Sequence, residues 1–219
     1  MEVQEFIKIC NANGISLDNE QISTIERYCD ELKYWNEKVN LISRKDIDHI
    51  LDRHILHSLT ILKYVPIFDN ANCLDIGTGG GLPGIPLKIA KTTINLSMID
   101  SIAKKVNITR QIVEKLGIGN VRVINDRTEN LALKKEYLHN YDFIFARGVA
   151  STDKITEWSI PLLKRKGKII LLKGGDLSDE IKIAKQIRPT FSFKEIQIDL
   201  IDFDYFLKEE KKILVISPK

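Results

Sequence analysis

From about residue 71 onward, short apolar runs alternate with helical patterns. The runs are "NCLDI" (72–76), "INLSMID" (94–100), "VRVIN" (121–125), "YDFIFA" (141–146) and "GKIILLK" (167–173). Between them, 84–91, 101–116, 129–138 and 151–163 carry apolar residues at three-to-four spacing. Such alternation predicts a doubly wound, mostly parallel sheet with helices on both faces. Two further strand-like runs, 191–200 and 211–217, follow with little room for a helix between them. They are expected to form an antiparallel pair at one sheet edge. Residues 1–64 read instead as helices. "SLDNEQISTIERYCDELKYWNEKVN" places Ile22, Ile25, Leu32 and Trp35 on one face, with Ser16 or Asp18 as cap. "DIDHILDRHILHSLTILKYV" is a second helical pattern, broken by Pro66. The expected organisation is a helical extension over 1–66 packed on an α/β domain over 67–219.

In an open sheet of this kind ligands bind at the carboxyl ends of the strands. There the first strand runs into "GTGGGLPG" (77–84), with five glycines in eight residues. A nucleoside triphosphate loop needs Lys and a hydroxyl after its last glycine; Ile85 and Pro86 stand there instead. A dinucleotide loop prefers G-x-G-x-x-G. Gly77 and Gly79 fit, but Leu82 occupies the third position. Pro83 and Pro86 also lack the N–H groups an anion cradle uses. The loop therefore suits a ligand that needs close backbone approach and carries no phosphate, such as S-adenosylmethionine. Asp100 ends the second strand, where a carboxylate can accept from both ribose hydroxyls or cap the following helix. "NDRTEN" (125–130) is placed to flank an adenine, with Glu129 or Asp126 near the exocyclic amine.

Composition sets outer limits. The chain has 219 residues, a net charge of +3 and three separated cysteines without a C-x-x-C. That fits a reducing cytoplasm and no disulfide framework. No signal-peptide pattern opens the sequence and no apolar run is long enough to span a bilayer. Basic residues gather at "KRKGK" (164–168), at Lys104 and Lys105, and at Arg44, Lys45 and Arg53. Read alone, "KRKGK" is a solvated face; the others are candidates for phosphate attraction. His49, His54, His57 and His139 form no convincing metal set and are read as solvent-facing or packing residues.

"DIGTGGGLPGIPL", "IDSIAKK", "DRTEN" and "ARGVAS", in this order, resemble the RsmG family, also called GidB. "YWNEKVNLIS" (34–43) and "RHILHS" (53–58) are similar to it as well, although His57 stands where that family usually has aspartate. Val39 and Ile42 also depart from its pattern. The resemblance implies a class I methyltransferase that uses S-adenosylmethionine to methylate guanine N7 in 16S ribosomal RNA. It implies a small ribosomal subunit or assembly particle as partner, a monomer, no metal and no membrane. It implies cofactor contacts at Gly77, Leu82, Thr128, Glu129 and Arg147. Arg147 follows the strand "YDFIFA" and so projects into the crevice, toward the cofactor carboxylate or the guanine. The competing readings are another methyl acceptor, an NAD-dependent oxidoreductase, and a non-catalytic RNA- or nucleotide-binding module.

Overall fold

A computed structural model describes all 219 residues. The chain opens with α1 (Val3–Ala12) and α2 (Asn19–Asn36). Asp18 caps α2 with a complete capping box, accepting from Gln21 N at 2.8 Å while Gln21 Oε1 accepts from Asp18 N at 2.9 Å. A 3₁₀ segment (Arg44–His49) follows, then a wider π-type segment (Ile50–Leu56), then α3 (His57–Tyr64). The sequence pattern over 46–65 reads as one helix. The structure divides it into three helical geometries, and the wide turn carries His54 inward.

The α/β part runs β1 (Asn72–Ile76), α4 (Gly84–Ala90), β2 (Asn95–Asp100), α5 (Ala103–Leu116), β3 (Val121–Asn125), α6 (Thr128–Leu131), β4 (Tyr141–Arg147) and α7 (Thr152–Ser159). It ends with β5 (Leu163–Gly174), α8 (Ser178–Ile187), β6 (Phe191–Gln197), α9 (Tyr205–Lys208) and β7 (Lys211–Pro218). One seven-stranded sheet has the order β3-β2-β1-β4-β5-β7-β6. The first five strands are parallel, and β7 runs antiparallel to both β5 and β6. Strand order reverses between β1 and β4, so the crevice lies where Ile76 and Arg147 end their strands.

Four expectations need correction. The helix expected over 129–138 is a single turn followed by turns, with Leu131 and Tyr137 buried and Leu133 turned to solvent. Helix α8 fills the gap between β5 and β6, and α9 adds one turn before β7, where no helix was expected. β5 begins at Leu163, which puts "KRKGK" inside its first half, at the end of the sheet away from the crevice. Its Lys164 is paired with Asp142 at 2.8 Å.

The main core joins the helical extension to the sheet. Phe6, Ile25, Tyr28 and Leu32 are buried in one cluster with Leu87, Ile108, Phe145 and Ile213. Burying each such side chain contributes roughly 1.5–3 kcal/mol before entropy is counted. α2 packs against α4 and α5, and Gln21 Nε2 donates to the carbonyls of Ile89 (2.9 Å) and Ala90 (3.2 Å) at the end of α4. The extension thereby reaches the loop after β1 from behind.

Candidate functional site

A cavity of about 430 Å³ opens at the carboxyl ends of β1, β2 and β3. Gly77, Asp100, Thr128 and Glu129 lie on its wall. Gly77 sits at φ +64°, and a Cβ there would lie 2.5 Å from Val149, so the position tolerates no side chain. Asp100 fixes the loop from the second strand. Its Oδ2 accepts from Gly79 N at 3.0 Å and its Oδ1 from Ile102 N at 2.9 Å. A carboxylate offers about four acceptor positions, so capacity for ribose hydroxyls remains. The capping alternative is not what this geometry makes: Ile102 is the cap residue of α5, and Asp100 holds that residue's own N–H.

The glycine loop is gripped from two further sides. Tyr28 of α2 donates its hydroxyl to Gly80 O at 2.9 Å, and Thr109 of α5 donates to Gly79 O at 2.7 Å. Beneath the loop lies Asp75, fully buried in β1. Its Oδ2 accepts from Thr78 Oγ1 at 2.7 Å and from Gly84 N at 3.0 Å. Burial outweighs those bonds and pushes its carboxyl up to about 7. Gly84 packs so closely that a Cβ would stand 2.8 Å from Asp75 Oδ2.

The start of α4 is therefore closed to anions for a stronger reason than its prolines. Gly84 N is spent on a buried carboxylate, and Ile85 N on Gly81 O at 2.7 Å. A pyrophosphate there would meet Asp75 where a dinucleotide fold offers free amides. Tyr28 and Asp75 escaped sequence reasoning. Asp75 had a signal, a lone acid inside an apolar strand; Tyr28 had none beyond its place on the buried face of α2.

The remaining candidates separate. Thr128 is buried at the first position of α6. Asp126 also lines the cavity, but Lys134 (2.8 Å), Asn130 (2.6 Å) and its neighbour's N–H occupy it and hold its carboxyl down at about 2. Glu129 makes no hydrogen bond or ion pair, which leaves it as the free acid beside the cavity. Gly79 contributes through its backbone. Leu82 does not reach the wall, because its side chain is buried in the main core. Lys105 is on the wall and Lys104 is not.

Arg147 is also absent from this wall. It lines a second cavity of about 370 Å³, which shares Gly148 with the first. There its Nη1 donates to Nδ1 of His54 at 2.8 Å. His54 and His57 are not solvent-facing. Both are buried, and the His57 ring stacks on Phe206 with centroids 5.1 Å apart.

Comparison with known proteins gives the family and the fold class. The family model described as GidB, rRNA small subunit methyltransferase G, matches residues 21–202. The ribosomal RNA small subunit methyltransferase G of Christiangramia forsetii is 39% identical over 210 residues, covering 93% of each chain. That of Desulforamulus reducens is 34% identical over 201 residues, covering 92% of this chain and 83% of the relative. Among solved structures, an S-adenosylmethionine-dependent methyltransferase from Aquifex aeolicus superposes with a TM-score of 0.55 at 17% identity, over 80% of this chain and 97% of that one. A putative methyltransferase of the same cofactor class from Methanococcus maripaludis gives 0.56 at 13% identity, over 87% and 92%. These structures share the class I methyltransferase fold with this chain. With most of its length matched by one family model and by relatives of the same description, the chain belongs to the rRNA small subunit methyltransferase G (GidB) family.

Proposed function

We propose that the chain holds S-adenosylmethionine in the Asp100 cavity and transfers its methyl group to N7 of a guanine in 16S ribosomal RNA. Family membership makes it an S-adenosylmethionine-dependent rRNA methyltransferase; the cavity, the nucleotide atom and the residue roles are our reading. One observation carries the placement. The loop that approaches the ligand is fixed by Asp100, while the helix behind it is closed by Asp75. That arrangement fits a nucleoside bearing a sulfonium and excludes a pyrophosphate at α4.

The residues fit the cofactor as follows. Asp100 accepts from the ribose, Gly77 and Gly79 allow the backbone to approach, Thr128 and Glu129 flank the adenine, and Lys105 stands at the rim. The bound cofactor supplies a methyl group already activated on sulfur. Guanine N7 is a lone pair without a proton at neutral pH, so the chain need remove none. Its work is alignment, which contributes up to ~7–11 kcal/mol when reacting atoms are held in line. The acceptor enters from the Arg147 side, next to Gly148. An arginine that bonded N7 would occupy the attacking lone pair, so Arg147 serves O6, the cofactor carboxylate or a phosphate. No helix is long and apolar enough to cross a membrane. We place the protein in the cytoplasm, as a monomer, acting on a small ribosomal subunit or its assembly particle.

Single-turnover methylation of small subunits tests the alignment mechanism. The rate is expected to be indifferent to EDTA and to show no base-type rise between pH 6 and about 8. A metal requirement, or a rise traced to a histidine, contradicts it.

A further inference from the structure

The second cavity lies between the wide helical turn of the extension and the ends of β4, β5 and β7. Its wall carries Arg53, Arg147, Lys173 and Lys211, with Asp46 as its one carboxylate. Two of these cations are already matched. Arg53 pairs with Asp46 at 2.8 Å, and Lys173 with Glu180 at 2.8 Å. The other two are not. Arg147 has only the neutral imidazole of His54 at 2.8 Å, and Lys211 has no ion pair or side-chain hydrogen bond. Nearby, Nε2 of His54 and Nε2 of His57 are buried without a hydrogen bond, Nε2 of His54 lying 3.8 Å from Asp46 Oδ2.

Donors outnumber acceptors on this wall. A guanidinium only donates, so Nδ1 of His54 accepts and its proton lies on Nε2. Arg147, Lys211 and His54 Nε2 are thus all donors; against them stands one acid, Asp46, which bonds Arg53 through Oδ1 and lies 3.8 Å from His54 Nε2 through Oδ2. A guanine edge offers donors as well as acceptors and needs acceptors opposite. A phosphodiester offers acceptors only, with a full negative charge. The cavity also abuts the cofactor cavity at Gly148, close enough for backbone flanking a methylated base to pass through it.

We propose that this cavity is a subsite for a backbone phosphodiester of the RNA acceptor, held by Arg147 and Lys211. The assignment rests on the proposed RNA substrate and deepens it. Lys211 lies beyond the residues that the family model matches.

The test uses the full chain and three variants, Lys211→Gln, Lys211→Arg and Lys212→Gln. Lys212 carries the same charge one residue along, and it is paired with Glu195 at 2.9 Å outside the cavity. Binding of small ribosomal subunits is measured without cofactor across a salt series, and S-adenosylmethionine binding separately by calorimetry. Lys211→Gln is expected to weaken subunit binding about tenfold and to reduce the log–log salt slope by about 0.7–0.9, one phosphate contact. Lys211→Arg should restore most of the affinity, Lys212→Gln should leave the slope unchanged, and all should bind cofactor as the parent does. Equal slopes for Lys211→Gln and the parent overturn the subsite. So does a loss of cofactor affinity in Lys211→Gln, which gives the cavity to the cofactor. Subunit binding with the expected slope change but no methylation would uphold the subsite and refute the proposed reaction. If the parent protein binds no subunits, both fall.

Discussion

Arg147 and His54, 93 residues apart, meet through one hydrogen bond of 2.8 Å from guanidinium to Nδ1. The bond joins the end of β4 to the wide turn of the extension and places the only charge at that strand end beside the acceptor side of the crevice. It exists only while His54 is neutral. Burial first, and the adjacent Arg147 second, lower the His54 pKa to about 4.

That relationship sets a pH dependence. An unfolded histidine titrates near 6.5, so between about 6.5 and 4 the unfolded chain binds more protons than the folded one. Stability is then fully present above about 6.5 and is lost as pH falls toward 4. His54→Asn keeps an acceptor for Arg147 and removes the titration. Relative to the parent, it should gain about 2 kcal/mol on moving from pH 7.5 to 5. Urea denaturation at the two pH values measures this; a constant difference means that His54 titrates alike in the folded and unfolded chain, so that its pKa is not lowered. His57, whose pKa burial also lowers, is present in both proteins and largely cancels.

Tyr28→Phe tests the grip of the extension on the glycine loop. It removes the hydroxyl that satisfies Gly80 O in the buried interior. We expect a stability loss of about 1–2 kcal/mol, the cost of an unsatisfied buried carbonyl, together with weaker S-adenosylmethionine binding. Thermal unfolding and calorimetry read the two effects. Unchanged cofactor affinity would leave Tyr28 a packing residue only.

Asp100→Ala should cost ~1.5–3 kcal/mol of S-adenosylmethionine affinity, the range for hydrogen bonds to a charged group. NAD should bind neither the parent nor the variant, because Asp75 and Gly81 hold the α4 amides. Calorimetry with both ligands decides. Micromolar NAD binding by the parent would contradict the closed helix start.

Much of this was legible in the sequence because parallel strands buried on both faces read as continuous apolar runs. β1 to β4 fall where "NCLDI", "INLSMID", "VRVIN" and "YDFIFA" predict them. Asp100 and the loop were legible together, since a carboxylate at the end of β2 and glycines at the end of β1 meet in any such sheet. Helix α8 was not read, although Ile181 and Ala184, three residues apart, form its inward face while Ile183 and Ile187 stay exposed. Nor was the side of the crevice that Arg147 occupies. Its place at a strand end follows from β4, but its direction depends on His54, which a π-type turn delivers from the far end of the chain. For Leu82 the motif gives the position but not whether the side chain or the backbone faces the cavity; the side chain is buried in the main core.

The central claim is methyl transfer to guanine N7 from the Asp100 cavity, and mass spectrometry of 16S ribosomal RNA tests it most directly. RNA from a strain lacking this gene is compared with RNA from strains complemented by the parent or by Asp100→Ala. One 7-methylguanosine should be missing in the deletion, restored by the parent and reduced or absent with Asp100→Ala. An unchanged set of 7-methylguanosines in the deletion strain, or full restoration by Asp100→Ala, would contradict the account.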